Sequence, residues 1–299
     1  MKKILLITLG TLVAVLGVAY IVFKPNLGRL GMAATLFTGA EQYENFASVK
    51  DMYPTTLLTA ASVPYDFPSG EPLELPDRFS FEGKEFGVDD FLALTDTSAL
   101  LVIQEGSVRF EEYFLTGGRE VNWLSMSVAK SFTSTLIGIA YDEGLINSLD
   151  DPITDYVPEL AGSAYDGVAI VDILEMSSGA AWNEDYADPD SDVMRMGKIM
   201  GIGGSLDKFT AAIKPERAPG TYNRYNSADT QALGMLVSRA TGRSLTQYMQ
   251  EKLWEPLGAE SDAYWIIDDF DVEMAFAGLN ATARDYAKIG ELFRNKGSW

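Results

Sequence analysis

The sequence contains no cysteine and no histidine. Without cysteine the chain forms no disulfide and offers no thiol nucleophile or thiolate metal ligand. Without histidine it cannot build a Ser-His-Asp triad or the usual histidine-rich zinc site. Any general base must therefore be a lysine, tyrosine, aspartate or glutamate, and we expect neither a metal nor a cofactor.

Positive charge is scarce as well. The chain has 23 Lys and Arg against 43 Asp and Glu, a formal net charge of −20, and no basic run or basic patch with interleaved aromatic residues. Such a surface disfavours a nucleic-acid partner or an anionic membrane surface. The length of 299 residues and the 47% hydrophobic content are typical of a globular protein with one sizeable or two modest domains.

One long apolar run lies near the N-terminus. Residues 4–23, ILLITLGTLVAVLGVAYIVF, are uncharged and follow Lys2 and Lys3. At roughly 1.5 Å per residue, a helix of this length spans roughly 30 Å, the thickness of a bilayer core. A cleaved signal peptide is the alternative, but its apolar core usually has only about 7–15 residues, and residues 17–19 make a poor cleavage site. We therefore predict a membrane anchor over residues 1–24, with the rest of the chain periplasmic or extracellular; secretion after signal cleavage is the alternative.

The remaining sequence divides into two parts. Residues 25–75 are mixed and interrupted by prolines, and we interpret them as a linker or irregular extension. From about residue 98, two apolar-rich runs flank Glu105-Gly106 and predict a β-hairpin, after which helical patterns dominate. Two strands alone make a marginal sheet. Because the sequence stops at Trp299 directly after a predicted helix, we expect residues 76–299 to be a domain whose C-terminal strands are missing from this sequence.

Residues 125–144, SMSVAKSFTSTLIGIAYDEG, place a lysine in the first turn of a nearly uncharged helix. Burial and the positive end of the helix dipole both disfavour an ammonium there. Ser127 and Lys130 would share one face, one turn apart. Backbone N–H groups at a helix N-terminus can stabilise an oxyanion, and a lysine with a lowered pKa can accept the serine proton. The pair therefore predicts a nucleophile and its base; an N-cap serine with a lysine that reaches the surface is the alternative.

Two further features bear on this prediction. The same spacing recurs at Ser205 and Lys208, but Ser205 follows two glycines and opens a short predicted helix, which favours a helix N-cap with a solvated lysine. Tyr225 follows a Pro-Gly turn just ahead of another predicted helix. In a site without histidine, a tyrosine is a natural relay that delivers a proton to a leaving group. With 14 tyrosines in the chain, Tyr225 is a candidate by position only.

Five segments between about residue 98 and residue 299 stand out by their sequence and order: SMSVAKSFTSTLIGIA, DEGLINSLDDPITDYVPEL, ILEMSSGAAW, PGTYNRYNSADTQALGMLVSRATGRSL and LNATARDYAKIGELF. Together they resemble the serine β-lactamase and penicillin-binding-protein superfamily. They resemble most its class C-like branch, which includes the 6-aminohexanoate-dimer hydrolases and related esterases. The resemblance implies an α/β fold in which an antiparallel sheet is flanked by helices and a helical domain is inserted.

The resemblance also implies roles for single residues. The S-x-x-K motif of the family falls on Ser127 and Lys130, as nucleophile and general base, and its Y-x-N or Y-x-S motif falls on Tyr225 and Ser227. β-Lactamases usually have Asn where this chain has Ser227, which favours the amide or ester hydrolase branch. Tyr186 resembles, more loosely, a substrate-contacting loop tyrosine of the dimer hydrolases. The third motif of the family, K-T-G or H-x-G on a strand, does not occur in this sequence.

We therefore predict a membrane-anchored serine hydrolase that is acylated on Ser127 and acts on a small amide, ester or peptide-like substrate. A β-lactamase or D-alanyl-D-alanine peptidase is one alternative. The other is a non-catalytic cell-envelope protein that keeps the fold to bind peptidoglycan-like ligands. The presence of Ser127, Lys130 and Tyr225 together argues against the non-catalytic alternative. The sequence makes no prediction of the oligomeric state.

Overall fold

The computed structural model describes residue 36 and residues 42–299. The predicted membrane anchor over residues 1–24 lies outside the described residues. Within the described part of the chain, no helix is both long and apolar enough to cross a bilayer. The anchor therefore stays a prediction from the sequence.

The described residues form short strands and helices that alternate irregularly along the chain. The strands are β1 (Thr55–Leu58), β2 (Arg78–Phe81), β3 (Lys84–Gly87), β4 (Ala99–Gln104), β5 (Ser107–Tyr113), β6 (Trp123–Leu124), β7 (Ala263–Ile266) and β8 (Leu279–Ala281). The α-helices are α1 (Gln42–Ala47), α2 (Val49–Met52), α3 (Val88–Leu94), α4 (Ala129–Asp142), α5 (Ile170–Leu174), α6 (Asp192–Ile202), α7 (Leu206–Ala211), α8 (Ser227–Thr241), α9 (Leu245–Met249) and α10 (Ala283–Arg294). Single 3-10 turns lie at Met126–Val128, Ile153–Asp155 and Pro158–Leu160, and a π-helical turn at Gln250–Trp254.

The strands pair antiparallel in three sheets. One sheet has four strands in the order β1-β7-β8-β6, and the other two are the hairpins β2-β3 and β4-β5. The predicted hairpin around Glu105-Gly106 is confirmed, and both turn residues have positive φ, 53° and 75°, as the tight turns that suit a hairpin require. Helices α4 to α9 lie between β6 and β7 in chain order. The predicted fold class, an α/β fold with antiparallel strands flanked by helices, is confirmed.

Three strands differ from what the sequence predicted. The described part of residues 25–75, interpreted as a linker or irregular extension, contains two short helices and β1, which pairs with β7 at the edge of the four-stranded sheet. Strands β7 and β8 lie in the region predicted to be helical. These strands have only four, four and three residues, too few for an alternating pattern to stand out. Their pairing with distant partners, rather than local propensity, makes them strands.

Helices α4 and α8 pack against each other at the centre of the core. In α4 the apolar residues at helical spacing form one buried stripe: Ala129, Phe132, Leu136, Ile137 and Ala140 are at most 1% exposed. Val128 is 48% exposed because it lies in the 3-10 turn ahead of the helix. Burial of each larger apolar side chain stabilises the fold by about 1.5–3 kcal/mol, so this pair of helices forms a rigid base for the residues at their N-termini.

Helix α8 is buried on nearly all sides. Every residue of its first three turns, residues 227–237, is buried. The side chain of Asn226 caps it, accepting hydrogen bonds from the N–H groups of Ala228 and Asp229. The helix ends at Gly242, which has the left-handed conformation with φ 67° that suits glycine at a helix C-terminus.

Candidate active site

Ser127 lies in the 3-10 turn Met126–Val128, directly ahead of helix α4. The N–H of Ser125 donates to the carbonyl oxygen of Leu279 at 2.8 Å, so strand β8 holds the start of the turn. Met126 has φ 46°, in the left-handed region that non-glycine residues rarely adopt. Such a backbone persists only where its surroundings impose it, and it often occurs at functional sites. The turn presents a partly buried Ser127 at the N-terminus of α4.

Lys130 points back to this serine from the first turn of α4. Its Nζ donates to Ser127 Oγ at 3.1 Å and to the carbonyl oxygen of Phe276 at 3.0 Å. Burial lowers the pKa of Lys130 to about 8, and the negative charge of Glu184 opposes that shift. About a tenth of the lysine is therefore unprotonated at pH 7. The alternative in which Lys130 reaches the surface is wrong, because its amine is held inside the site.

Tyr225 lies across the site from Ser127. The ring centroid of Tyr225 is 5.0 Å from Lys130 Nζ, and that of Phe276 is 5.6 Å away, so the amine lies among two aromatic rings, a hydroxyl and a carbonyl. The Tyr225 side chain is 44% exposed and accessible from solvent. The structure thus brings together the three residues that the sequence marked as a nucleophile, a base and a proton relay.

Ser227 is the first residue of α8 and is almost fully buried. Its backbone N–H donates to Glu184 Oε2 at 3.0 Å, and its hydroxyl donates to Glu184 Oε1 at 2.6 Å. The Tyr186 hydroxyl also donates to Oε1, at 2.7 Å, while 58% of the Tyr186 side chain remains exposed. Burial and the Glu184 carboxylate raise the pKa of Tyr186 well above its usual range. Ser227 and Tyr186, both predicted to bind substrate, are therefore joined by one carboxylate.

Sequence reasoning missed Glu184. It lies two residues before Tyr186, in the segment WNEDY, and a carboxylate beside a site without histidine was a signal that we did not use. Its hydrogen bonds to Ser227 join residues 43 positions apart. No local pattern predicts such a contact, because it depends on how the loop folds over the start of α8.

Asp229 is a second carboxyl group that sequence reasoning missed. It is fully buried in the first turn of α8. Its Oδ1 accepts hydrogen bonds from Asn226 Nδ2 and Ser178 Oγ, both at 2.7 Å, and from the Tyr165 hydroxyl at 3.0 Å. Burial raises the pKa of Asp229 to about 7. The carboxyl group therefore ties two separate segments, at Tyr165 and Ser178, to the end of the loop that carries Tyr225.

The second S-x-x-K pair is a helix cap, as predicted. Ser205 Oγ accepts a hydrogen bond from the backbone N–H of Lys208 at 3.2 Å and is the N-cap of α7. The Lys208 side chain is exposed, with its Nζ 5.0 Å from the ring centroid of Phe270. Ser205 therefore contacts the backbone of Lys208, whereas Ser127 contacts the amine of Lys130.

The site described by these contacts is suited to nucleophilic catalysis by a serine. A hydroxyl at a helix N-terminus lies within hydrogen-bond distance of an amine with a lowered pKa, which is the usual way to activate a serine without histidine. The family model for β-lactamases matches residues 96–298. The chain belongs to the β-lactamase family, and the resemblance drawn from its motifs is confirmed.

Curated relatives are similar over part of their length. The 6-aminohexanoate-dimer hydrolase of Paenarthrobacter ureafaciens is 35% identical over 211 residues, which cover 68% of this chain and 53% of that protein. The β-lactamase of Yersinia enterocolitica is 28% identical over 166 residues, 53% of this chain and 40% of that protein. This chain therefore spans about half the length, or less, of the curated relatives it matches.

Solved structures share the fold. The structure described as "Putative 6-aminohexanoate-dimer hydrolase from Bacillus anthracis" superposes with a TM-score of 0.80 at 23% identity, over 89% of this chain and 72% of that chain. EstCE1, a hydrolase with promiscuous acyltransferase activity, superposes with a TM-score of 0.55 at 17% identity, over 70% of this chain and 71% of that chain. At these identities the likeness establishes the β-lactamase-type fold alone.

Proposed function

We propose that the protein is a serine hydrolase that cleaves an amide or ester bond through an acyl-enzyme on Ser127. The observation that carries the proposal is the 3.1 Å contact between Lys130 Nζ and Ser127 Oγ, in a site where burial lowers the pKa of that lysine. Membership of the β-lactamase family and the 35% identity to a 6-aminohexanoate-dimer hydrolase support it.

The chemistry follows from these positions. Ser127 Oγ attacks the carbonyl carbon of the substrate while its proton passes to Lys130 Nζ. The oxyanion that forms lies near the N-terminus of α4, where backbone N–H groups favour negative charge. As the bond to the leaving amine or alcohol breaks, Tyr225 relays a proton to that group, and Lys130 resupplies Tyr225. Water then attacks the acyl-enzyme, its proton returns along the same path, and the acid product leaves Ser127.

The residue at position 227 favours linear substrates. Where β-lactamases usually have Asn, this chain has a serine that is 1% exposed and whose hydroxyl is donated to Glu184, so position 227 offers a substrate no hydrogen-bond donor. We propose a small amide or ester as the substrate, with the exposed ring of Tyr186 as part of its binding surface. β-Lactamase activity is the second candidate, favoured by the match to curated β-lactamases.

The test uses the protein expressed from its complete reading frame, with Ser127→Ala and, as the matched control, Ser205→Ala. Each is assayed on a nitrophenyl ester, a linear 6-aminohexanoate dimer and a chromogenic cephalosporin. We expect turnover of the ester and the dimer that is lost in Ser127→Ala and kept in Ser205→Ala. Faster turnover of the cephalosporin would establish the second candidate. No turnover, together with no labelling of Ser127 by a fluorophosphonate, would overturn the proposal and favour a non-catalytic binding protein.

A further inference from the structure

Gln231 is a fully buried amide side chain in the second turn of helix α8. A glutamine in such surroundings costs stability unless both ends of its amide group are hydrogen-bonded. Its Oε1 accepts from the N–H of Ala275 at 3.1 Å, and its Nε2 donates to the carbonyl oxygen of Glu273 at 3.1 Å. A side-chain amide, which carries an acceptor and a donor side by side, is suited to this pair of bonds. Gln231 therefore binds the backbone of one short segment at two points.

Two other contacts hold the same segment at Ala275. The Thr133 hydroxyl, buried in α4, donates to the carbonyl oxygen of Ala275 at 2.9 Å. Gly234 lies three positions after Gln231 in α8, and a Cβ atom placed on it would lie 2.6 Å from the Ala275 Cβ, closer than such atoms approach. A glycine at this position lets α8 lie directly against the segment. The N–H, the carbonyl oxygen and the side chain of Ala275 are thus all fixed by α4 and α8.

The residue that follows Ala275 binds the Lys130 amine. Residues 275–277 form a turn, and in its middle the Phe276 carbonyl oxygen accepts from Lys130 Nζ at 3.0 Å. Lysine has a flexible stem and freely rotating donors, so its amine needs a fixed partner to be oriented. With one N–H donated to Phe276, the neutral amine can direct its lone pair to the Ser127 hydroxyl, 3.1 Å away. The position of the carbonyl therefore affects how well Lys130 accepts a proton.

We propose that Gln231 is a positioning residue that fixes the turn carrying Phe276, so that the Phe276 carbonyl orients the Lys130 amine. This inference rests on the proposed hydrolase function and names a residue that supports its base. Gln231 acts through Phe276 and is not itself a catalytic residue. A glutamine that served only packing would stabilise the fold without affecting the reaction of Lys130 with Ser127.

The first experiment measures the turn and does not depend on catalysis. Amide hydrogen exchange is followed by NMR at Ala277 and Gly278, whose N–H groups donate to the carbonyl oxygen of Met274 at 3.2 and 2.8 Å. Gln231→Met keeps the length of the side chain and removes both of its hydrogen bonds. We expect these two amides to exchange about tenfold faster or more in Gln231→Met, because a turn that opens more often exposes them. Unchanged exchange would overturn the positioning role.

Gln250→Met is the matched control. The Gln250 amide makes the same pair of bonds elsewhere: its Oε1 accepts from the N–H of Thr59 at 2.8 Å, and its Nε2 donates to the Thr59 carbonyl oxygen at 3.2 Å. Thr59 follows strand β1, at the edge of the four-stranded sheet. Gln250→Met should therefore leave the exchange of Ala277 and Gly278 as it is in the wild type. Equal acceleration in both variants would contradict a specific role of Gln231.

The second experiment measures the acylation of Ser127. Labelling by a fluorophosphonate is followed at several reagent concentrations, which separates the maximal rate of labelling from the affinity for the reagent. In Gln231→Met we expect the maximal rate to fall by about tenfold or more with the affinity unchanged, and Gln250→Met should match the wild type. An unchanged maximal rate would overturn the inference. If the wild type does not label Ser127, the proposed function fails, while the exchange experiment still decides whether Gln231 fixes the turn.

A double variant tests whether the effect passes through Lys130. Lys130→Ala removes the base, so a residue that acts only by orienting its amine has no further effect. The double variant of Lys130→Ala and Gln231→Met should therefore label as fast as Lys130→Ala alone. A further fall, equal to the fall caused by Gln231→Met in the wild type, would mean that the glutamine acts as a structural residue and not through Lys130.

Thr133→Val provides a variant that does not depend on the folding of Gln231→Met. It keeps the shape of the side chain and removes the hydroxyl that donates to Ala275. We expect a fall in the maximal rate of labelling that disappears when Lys130→Ala is also present. Thr135→Val is its control, since the Thr135 hydroxyl donates to the Ser131 carbonyl within the same helix. Labelling that is unchanged in Thr133→Val, or reduced equally in Thr135→Val, would overturn the inference that the position of this turn sets the reactivity of the site.

Discussion

Lys130 Nζ and Ser127 Oγ lie 3.1 Å apart, one helical turn from each other at the start of α4. The amine is partly buried, and its pKa is lowered to about 8. In the Ser205–Lys208 pair, by contrast, the serine caps a helix through the backbone N–H of Lys208, and the lysine side chain is exposed. The reactivity of Ser127 should therefore depend on its lysine, and that of Ser205 should not.

Acylation should follow the protonation of Lys130. The proposed base is the neutral amine of Lys130, which is depleted as the pH falls below about 8, the pKa of that group. The rate of Ser127 labelling by a fluorophosphonate should therefore rise between pH 6 and pH 9 and then level off. Lys130→Ala should slow labelling by about 10²–10⁴-fold and lose this pH dependence, whereas Lys208→Ala should resemble the wild type. A wild-type rate that is flat across this range would remove Lys130 as the base.

The Tyr225 hydroxyl should matter for turnover and not for folding. Tyr225→Phe keeps the ring beside Lys130 and removes only the hydroxyl that we propose as the proton relay. We expect kcat on a linear amide to fall by about 10²–10⁴-fold with the thermal midpoint unchanged. Tyr222→Phe is the matched control, since Tyr222 is exposed in the same loop and lies over Arg217. Full activity of Tyr225→Phe would exclude its hydroxyl from the mechanism.

Asp229 should make stability depend on pH. Its pKa rises from 3.8 to about 7 on folding, so between these values the folded protein holds a proton that the unfolded chain has released. The contribution of this group to the free energy of unfolding is therefore complete below about pH 4. It falls by about 2–4 kcal/mol as the pH rises to about 7. Asp229→Asn cannot ionise, so it should destabilise the protein less at pH 8 than at pH 5.

Urea unfolding at both pH values measures this difference, with Asp150→Asn, an exposed aspartate, as the control. The control should shift the free energy of unfolding equally at pH 5 and pH 8. If Asp229→Asn also gives the same change at both values, the buried carboxyl is ionised throughout and its proposed pKa is wrong.

The ion pairs of Arg284 should stabilise the contact between helix α10 and the hairpin β4-β5. The side chain is 7% exposed, and Nε and Nη2 donate to the two oxygens of Glu111 at 2.8 and 2.6 Å. Arg284→Gln leaves Glu111, itself mostly buried, without its guanidinium. We expect a loss of about 2–4 kcal/mol in the free energy of unfolding by urea.

Arg195→Gln is the comparison for that variant. Arg195 is 58% exposed and pairs with Asp192 within one helix, so its loss should change the free energy of unfolding by less than about 0.5 kcal/mol. Equal effects of the two substitutions would mean that burial of Arg284 adds nothing to its ion pairs.

Structural elements that depend on residues close together in the chain could be predicted from the sequence. Ser244 and Gln247, three positions apart, form a capping box at the start of α9, and the amphipathic pattern of Ala283–Arg294 is the helix α10. The hairpin turn at Glu105-Gly106 likewise has the required positive φ. These features depend on residues within a few positions of one another, where hydrogen bonds and side-chain periodicity follow from chain geometry alone.

The strands of the four-stranded sheet could not be predicted in this way. Strand β1 exists because Thr55–Leu58 pair with Ala263–Ile266, and β8 because Leu279–Ala281 lie between β7 and β6. Each strand is too short for its own pattern to decide its conformation. The pairing, and not the local sequence, determines that these residues are extended.

The candidate site likewise has features that the sequence predicts and features that depend on the tertiary structure. The sequence by itself determined that a site without histidine or cysteine must use other groups, and its spacing placed Ser127 and Lys130 one turn apart on one helix face. Only the tertiary structure decided that Tyr225 lies beside that lysine, that Glu184 binds Ser227, and that Asp229 is buried in the first turn of α8. The physical reason is that helix geometry sets distances between residues three or four apart, whereas contacts between distant residues depend on the packing of the whole core.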